Sequence, residues 1–238
     1  MLKPGSHWLV AGASKRLGLL LARKLLERGA KVSALYRTLT PELEELCRKH
    51  PSQCALFSFD LCETDAYPDL IKKITDRNGS LSGLLLVASE FYKTPWGKVT
   101  EKDWDTLFST NVKGHTFLAQ ACTASLEPQS QIIALADIFG SKPLKAYMAY
   151  AAAKAALLSV VRNLAKELAP HVRVNAISPG PVLLPESFSP QEGAQHAERT
   201  LLGKLGTPED IWEAVQFLIE GSYLTGVNLK VDGGASLV

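Results

Sequence analysis

What most limits the folds open to this chain is its rhythm: short apolar runs alternate from end to end with longer segments of helical period. His7-Trp8-Leu9-Val10-Ala11 reads as a first buried strand. The apolar positions Leu17, Leu20, Leu21, Leu25 and Leu26 then lay a stripe on one helix face, closed by Gly29. A second strand is expected at 31–35, a helix at 40–49 opened by Thr40-Pro41-Glu42, and a third strand at 54–59. Further strands are expected at 84–88, 131–136, 172–177 and 227–231, with crossover helices at about 64–77, 103–126, 147–168 and 208–219. Strands apolar on both faces and joined by helices imply a parallel sheet covered on both sides. The expected fold is α/β, a Rossmann-type doubly wound parallel sheet. No composition break, repeat or low-complexity linker divides residues 1–238, so a single domain is expected. The stretch 182–200, rich in Pro, Ser and Glu from Val182 to Gln195, reads as a substrate loop at the carboxyl edge of the sheet, where such folds bind ligands.

Composition narrows the partners. The 26 Lys and Arg against 24 Asp and Glu leave a net charge of +2, too little for a nucleic-acid binder held by a broad basic face. Cys47, Cys54, Cys62 and Cys122 form no CxxC pair and no zinc-like spacing with His. They read as reduced thiols of a cytoplasmic protein, and no metal is expected. No apolar run approaches the roughly 18 residues of a membrane span, and no signal peptide or anchor is expected.

Several weak signals converge on one edge of the sheet. The first strand runs through Ala11-Gly12-Ala13-Ser14-Lys15-Arg16-Leu17-Gly18 into a helix. Glycines there let the backbone approach a pyrophosphate, and the helix N-terminus offers free N–H groups. Arg16 stands where a third glycine is expected, and its guanidinium can serve a phosphate or face the substrate. At the end of strand two no acidic residue is present to hold a ribose 2′-OH, whereas Arg37 can accept a 2′-phosphate; with Lys15 nearby, this favours NADPH. Asp60, followed by Leu61, can accept from an adenine amino group, and Asn111 interrupts a helical segment where a local irregularity can hold water. In Tyr150-Ala151-Ala152-Ala153-Lys154 the i,i+4 spacing sets phenol and ammonium on one face with Cβ atoms about 5–6 Å apart. The cation is expected to lower the phenol below its ordinary value of about 10.

The order of these motifs, continued by Ser178-Pro179-Gly180 and Val231-Asp232-Gly233-Gly234, resembles the short-chain dehydrogenase/reductase family along essentially the whole chain. The resemblance implies an NAD(P)-dependent oxidoreductase and a homotetramer. In it Tyr150 donates a proton, Lys154 binds the nicotinamide ribose and lowers the tyrosine pKa, Asn111 positions a water, and Pro179 and Gly180 border the cofactor.

Two departures narrow the reading. Asp137 stands thirteen residues before Tyr150, where the family usually has serine, and Leu86-Val87-Ala88-Ser89 replaces the usual Asn-Asn-Ala-Gly turn. A carboxylate repels a ketone oxyanion but accepts from ring N–H or amino groups and supports proton delivery to nitrogen. Asp137 with Tyr150, the Arg16 turn and Ser89-Glu90-Phe91 thus resemble pteridine reductases and dihydrofolate-reducing enzymes, in which Phe91 would stack on a flat heterocycle. The alternatives are a carbonyl reductase of another small substrate, with Asp137 protonated or turned aside, and an NADPH-binding sensor without turnover.

Overall fold

The computed structural model describes residues 2–184 and 189–238. Seven strands, β1 (His7–Ala11), β2 (Lys31–Tyr36), β3 (Cys54–Ser58), β4 (Leu81–Leu86), β5 (Leu126–Leu135), β6 (Val172–Pro179) and β7 (Asn228–Val231), form one sheet. Its order is β3-β2-β1-β4-β5-β6-β7 and every pairing is parallel. The helices are α1 (Arg16–Glu27), α2 (Pro41–Lys49), α3 (Tyr67–Asn78), α4 (Glu101–Phe108), α5 (Gly114–Cys122), α6 (Met148–Leu168), α7 (Pro190–Glu198) and α8 (Pro208–Glu220). The doubly wound α/β fold expected from the rhythm is the one observed. Among the described residues no helix is long and apolar enough to cross a membrane.

The strand period of two sorts the core into two layers. On β1, Trp8 and Val10 pack with Leu21, Leu25, Ile211 and Val215 of α1 and α8, whereas Leu9 and Ala11 pack with Leu70, Ile74, Leu118 and Leu157 of α3, α5 and α6. β5 repeats the alternation, Ile133 and Leu135 facing the first layer and Ile132 and Ala134 the second. These interior strands are covered by helices on both faces, as the continuous apolar runs require.

The departures from expectation have local causes. β4 begins at Leu81 and β5 at Leu126, earlier than expected, because Leu81 pairs with Leu126 and Ser82 donates to Glu127 at 2.9 Å, contacts without an apolar run to announce them. The ladder then shifts register before Gly83, whose Cβ, were there one, would meet the Trp8 ring at 2.3 Å. The single helix expected over 103–126 is divided by a π-turn at Ser109–Lys113. The expected loop 182–200 contains α7, opened by a capping box in which Ser189 and Glu192 bond each other's backbone N–H; residues 185–188 of that loop lie outside the described residues. The four cysteines are not all thiols. The tight return from α2 to β3 brings the Cα atoms of Cys47 and Cys54 to 4.9 Å, within disulfide reach, and the two sulfurs are bonded, while Cys62 and Cys122 are free.

Candidate active site

The strand order reverses between β1 and β4, so their connections leave in opposite directions and open a crevice at the carboxyl edge. A cleft of about 1180 Å³ lies there. Gly12 follows β1, Arg37 follows β2, Asp60 follows β3, Phe91 follows β4, Asp137 follows β5, and Pro179 with Gly180 closes β6; all of them line it.

At one end the groove fits a dinucleotide. Gly12 has φ of +95°, and a Cβ on it would lie 2.6 Å from the Ala88 nitrogen; a Cβ on Gly18 would lie 1.9 Å from the Gly12 oxygen. The β1 and β4 turns thus touch through backbone alone, leaving the space in front of them to a ligand. Arg16 has φ of +53°, so it occupies the conformation of the glycine it replaces. α1 starts without a side-chain cap and without an acidic residue in its first turn, which leaves its N–H groups for an anion. Ser14, Lys15, Leu17 and Leu61 complete this end. Asp60 Oδ1 accepts from the Cys62 N–H at 2.9 Å, and Arg37 is ion-paired with Glu90 at 3.0 Å.

At the centre, the Tyr150 hydroxyl donates to Asp137 Oδ2 at 2.7 Å, while Asp137 Oδ1 accepts from the Phe139 N–H at 2.9 Å. Lys154 Nζ donates to the Leu135 carbonyl at 2.9 Å and lies 5.7 Å from the centre of the Tyr150 ring. Burial dominates the electrostatics. It raises the Asp137 carboxyl above its ordinary range and lowers the Lys154 ammonium to about 8. Tyr150 is raised well above its ordinary value, by burial first and then by the adjacent Asp137. This corrects the expectation that Lys154 lowers it. The residue spacing discloses the neighbouring cation, but not the burial or the carboxylate that outweigh it.

Asn111 is fully buried within the π-turn, the local irregularity expected of it. Its Oδ1 accepts from the Ser89 hydroxyl at 2.6 Å, and its Nδ2 donates to the carbonyls of Glu90 at 3.0 Å and Leu107 at 2.9 Å. It therefore anchors the turn after β4 and does not line the cleft. That turn keeps its hydrogen bonds despite its unusual sequence: the Val87 and Ala88 N–H groups both donate to Ala11 O at 2.9 Å. His115, one helical turn beyond Asn111, bonds the Ala88 carbonyl through Nε2 at 2.8 Å; burial lowers it to about 4, so it is neutral and donates.

At the far end, Phe91 stacks on Tyr147, rings 4.7 Å apart and 12° from parallel, and meets Tyr150 edge-on at 4.7 Å. The Thr94 N–H bonds the Ala146 carbonyl at 2.7 Å and fixes the two loops that carry this stack. The Arg16 guanidinium donates to the Leu183 carbonyl, joining the phosphate turn to the segment after β6. His196 and Arg199 of the α7 region face the same cleft.

Apart from Asn111, each residue given a catalytic, cofactor or substrate role from the sequence lines this one cleft. Two contributors, Tyr147 and His115, had not been singled out in the sequence. Tyr147 precedes Tyr150 by three residues, a same-face spacing that was available as a signal; His115 follows Asn111 by four. Glu90, named only within Ser89-Glu90-Phe91, gave no sign of its pairing with Arg37, which the fold alone creates.

Residues 12–236 match the family described as enoyl-(acyl carrier protein) reductase. The chain is 31% identical, over 98% of itself and 98% of the relative, to a short-chain dehydrogenase/reductase, ATR9, of Stachybotrys chlorohalonatus. It is 28% identical to a dihydromonapterin reductase of Klebsiella pneumoniae, covering 96% of each chain. Among solved structures, a blue fluorescent protein from a metagenomic library in complex with NADPH superimposes with a TM-score of 0.90 at 25% identity, covering 98% of both chains.

Proposed function

The chain belongs to the short-chain dehydrogenase/reductase family, hence is a nicotinamide-dependent oxidoreductase, and from that premise we propose that it is an NADPH-dependent reductase of pteridines or dihydrofolate-like nitrogen heterocycles. The observation that carries the reading is the bond between the Tyr150 hydroxyl and Asp137 beside the Phe91–Tyr147 stack. A buried carboxyl in place of a hydroxyl suits a substrate whose reacting atom is nitrogen, and the aromatic wall suits a flat ring. The dihydromonapterin reductase relative supports the same class. Arg37 and Lys15 support the choice of NADPH, as does the NADPH-bound neighbour.

The reduced nicotinamide, when bound, supplies a hydride to a ring carbon. Gly12, Ser14, Lys15, Arg16, Leu17 and Gly18 would hold its phosphates, Arg37 the 2′-phosphate, Asp60 and Leu61 the adenine end, and Lys154, Pro179 and Gly180 the nicotinamide end. Tyr150, kept protonated by its raised pKa, delivers its hydroxyl proton to the adjacent ring nitrogen. Asp137, held by the Phe139 N–H and accepting from the Tyr150 hydroxyl, orients that hydroxyl, and the Lys154 cation offsets the negative charge left on the tyrosine oxygen. Arg16 and Phe91 border the substrate, and the segment 182–200 acts as the substrate loop of a single reductase domain spanning 1–238. The second reading is reduction of a carbonyl, which requires a protonated Asp137 to donate to the ketone oxygen, the direction in which burial moves this carboxyl. Family membership carries the expectation of a homotetramer and the composition that of a cytoplasmic protein; exposed Trp104, Phe117, Met148, Phe217 and Tyr223 offer apolar surface to a subunit interface.

NADPH oxidation measured with dihydrobiopterin, dihydrofolate and a panel of ketones and quinones decides between them. Turnover of the pterins is expected, and turnover confined to ketones would overturn the pteridine reading. Tyr150→Phe is expected to lower turnover by at least about a hundredfold with NADPH binding nearly unchanged; retained turnover would remove Tyr150 as donor.

A further inference from the structure

Arg37 follows β2 directly and Glu90 lies four residues past β4, and in the sheet β1 runs between those two strands. At about 4.8 Å per strand spacing, the strands that lead to these two residues lie about 10 Å apart, on opposite sides of β1. Their 3.0 Å ion pair therefore crosses the end of β1, where the Gly12 turn begins, and both partners line the cleft. The Glu90 backbone is pinned, since its carbonyl accepts from Asn111 Nδ2 at 3.0 Å and the preceding Ser89 hydroxyl bonds Asn111 Oδ1 at 2.6 Å. Only the Glu90 side chain has to turn for Arg37 to change partner. With side-chain exposures of 63% for Arg37 and 30% for Glu90, that exchange happens in contact with water, where an ion pair is worth little.

We propose that Glu90 is the resident counter-ion of Arg37 and exchanges with the 2′-phosphate of the cofactor at each binding and release, which makes Glu90 a specificity-determining residue of the cofactor groove. The inference rests on the assignment of Arg37 to the 2′-phosphate. A phosphate offers the guanidinium two oxygens and a larger charge than a carboxylate, so it displaces Glu90; a 2′-hydroxyl has no charge with which to compete. On release, Glu90 takes the guanidinium back and hastens departure of the phosphate.

Calorimetric titration of the wild-type chain, Glu90→Gln, Arg37→Met and the double variant with 2′,5′-ADP and with 5′-ADP tests this without requiring turnover. Glu90→Gln is expected to tighten 2′,5′-ADP about three- to fivefold, the scale of an exposed ion pair, and to leave 5′-ADP within about twofold. NADP dissociation followed by stopped-flow is expected to slow by a similar factor, and the gap narrows as salt is raised. In the Arg37→Met background the Glu90 substitution is expected to have no further effect, and Glu90→Ala is expected to reproduce the shift. If Arg37→Met weakens 2′,5′-ADP while Glu90→Gln changes nothing, or changes both ligands alike, the counter-ion proposal falls and the phosphate assignment stands. If Arg37→Met leaves 2′,5′-ADP binding intact, both fall.

Discussion

Tyr150, Asp137 and Lys154 share a pocket where burial is the largest cause of each pKa shift, raising the two acids and lowering the amine. Tyr150 is raised well above its ordinary value and stays protonated across the physiological range, whereas Lys154, lowered to about 8, begins to lose its charge within it. Loss of that ammonium removes the charge that offsets a forming tyrosinate, so kcat/KM is expected to fall as pH rises through about 8. Lys154→Arg keeps the cation at all accessible pH. Its pH–rate profile should lack this limb even where the absolute rate is lower, and an unchanged limb would assign the titration to another group. The Tyr150 and Lys154 pairing was readable from an i,i+4 spacing, and the serine-to-aspartate change from its distance to Tyr150. The sign of the tyrosine shift was not, because it depends on how much water the folded pocket excludes.

Among the elements, the junction of β1 with α1 is the least forgiving. A methyl group at Gly18 would lie 1.9 Å from the Gly12 carbonyl oxygen, so Gly18→Ala must push the start of α1 away from the phosphate turn. The expected result is a loss of about 1–3 kcal/mol of stability by chemical denaturation and NADPH binding weaker by about tenfold or more by titration. Binding at wild-type strength would show that the turn tolerates displacement. Strands built on a continuous apolar run, Trp8–Ala11 in β1 and Leu84–Leu86 in β4, were legible because such short runs sit between helical stripes. The early part of β5, Leu126-Glu127-Pro128-Gln129, was not, because it is held by pairing rather than by burial. α7 was hidden in a polar segment whose Ser189 and Glu192 caps belong equally to loops. The Cys47–Cys54 contact depended on the angle of the turn between α2 and β3, which no spacing rule supplies.

At the scale of the whole molecule, buried histidines tie stability to acidity. Burial lowers His115 to about 4 and also lowers His7, while an unfolded histidine titrates near 6.5. Between about pH 6.5 and 4 the unfolded chain therefore holds protons that the folded chain refuses, and stability falls as pH falls through that window. His115 alone accounts for roughly 3 kcal/mol of the loss. Calorimetric melting of His115→Gln across the window should show a shallower slope, and a slope equal to wild type would mean that His115 is not the group responsible. The parallel order also sets when the site can exist. β1 must wait for β4 to emerge before its second edge is covered, and the cleft draws side chains from every strand end up to Pro179 and Gly180 of β6. Such distant pairings form late. A nascent chain on the ribosome thus lacks the end of the groove that Pro179 and Gly180 border until about residue 180 has left the exit tunnel, so a bound cofactor can hold the finished cleft together but meets only part of its site before then.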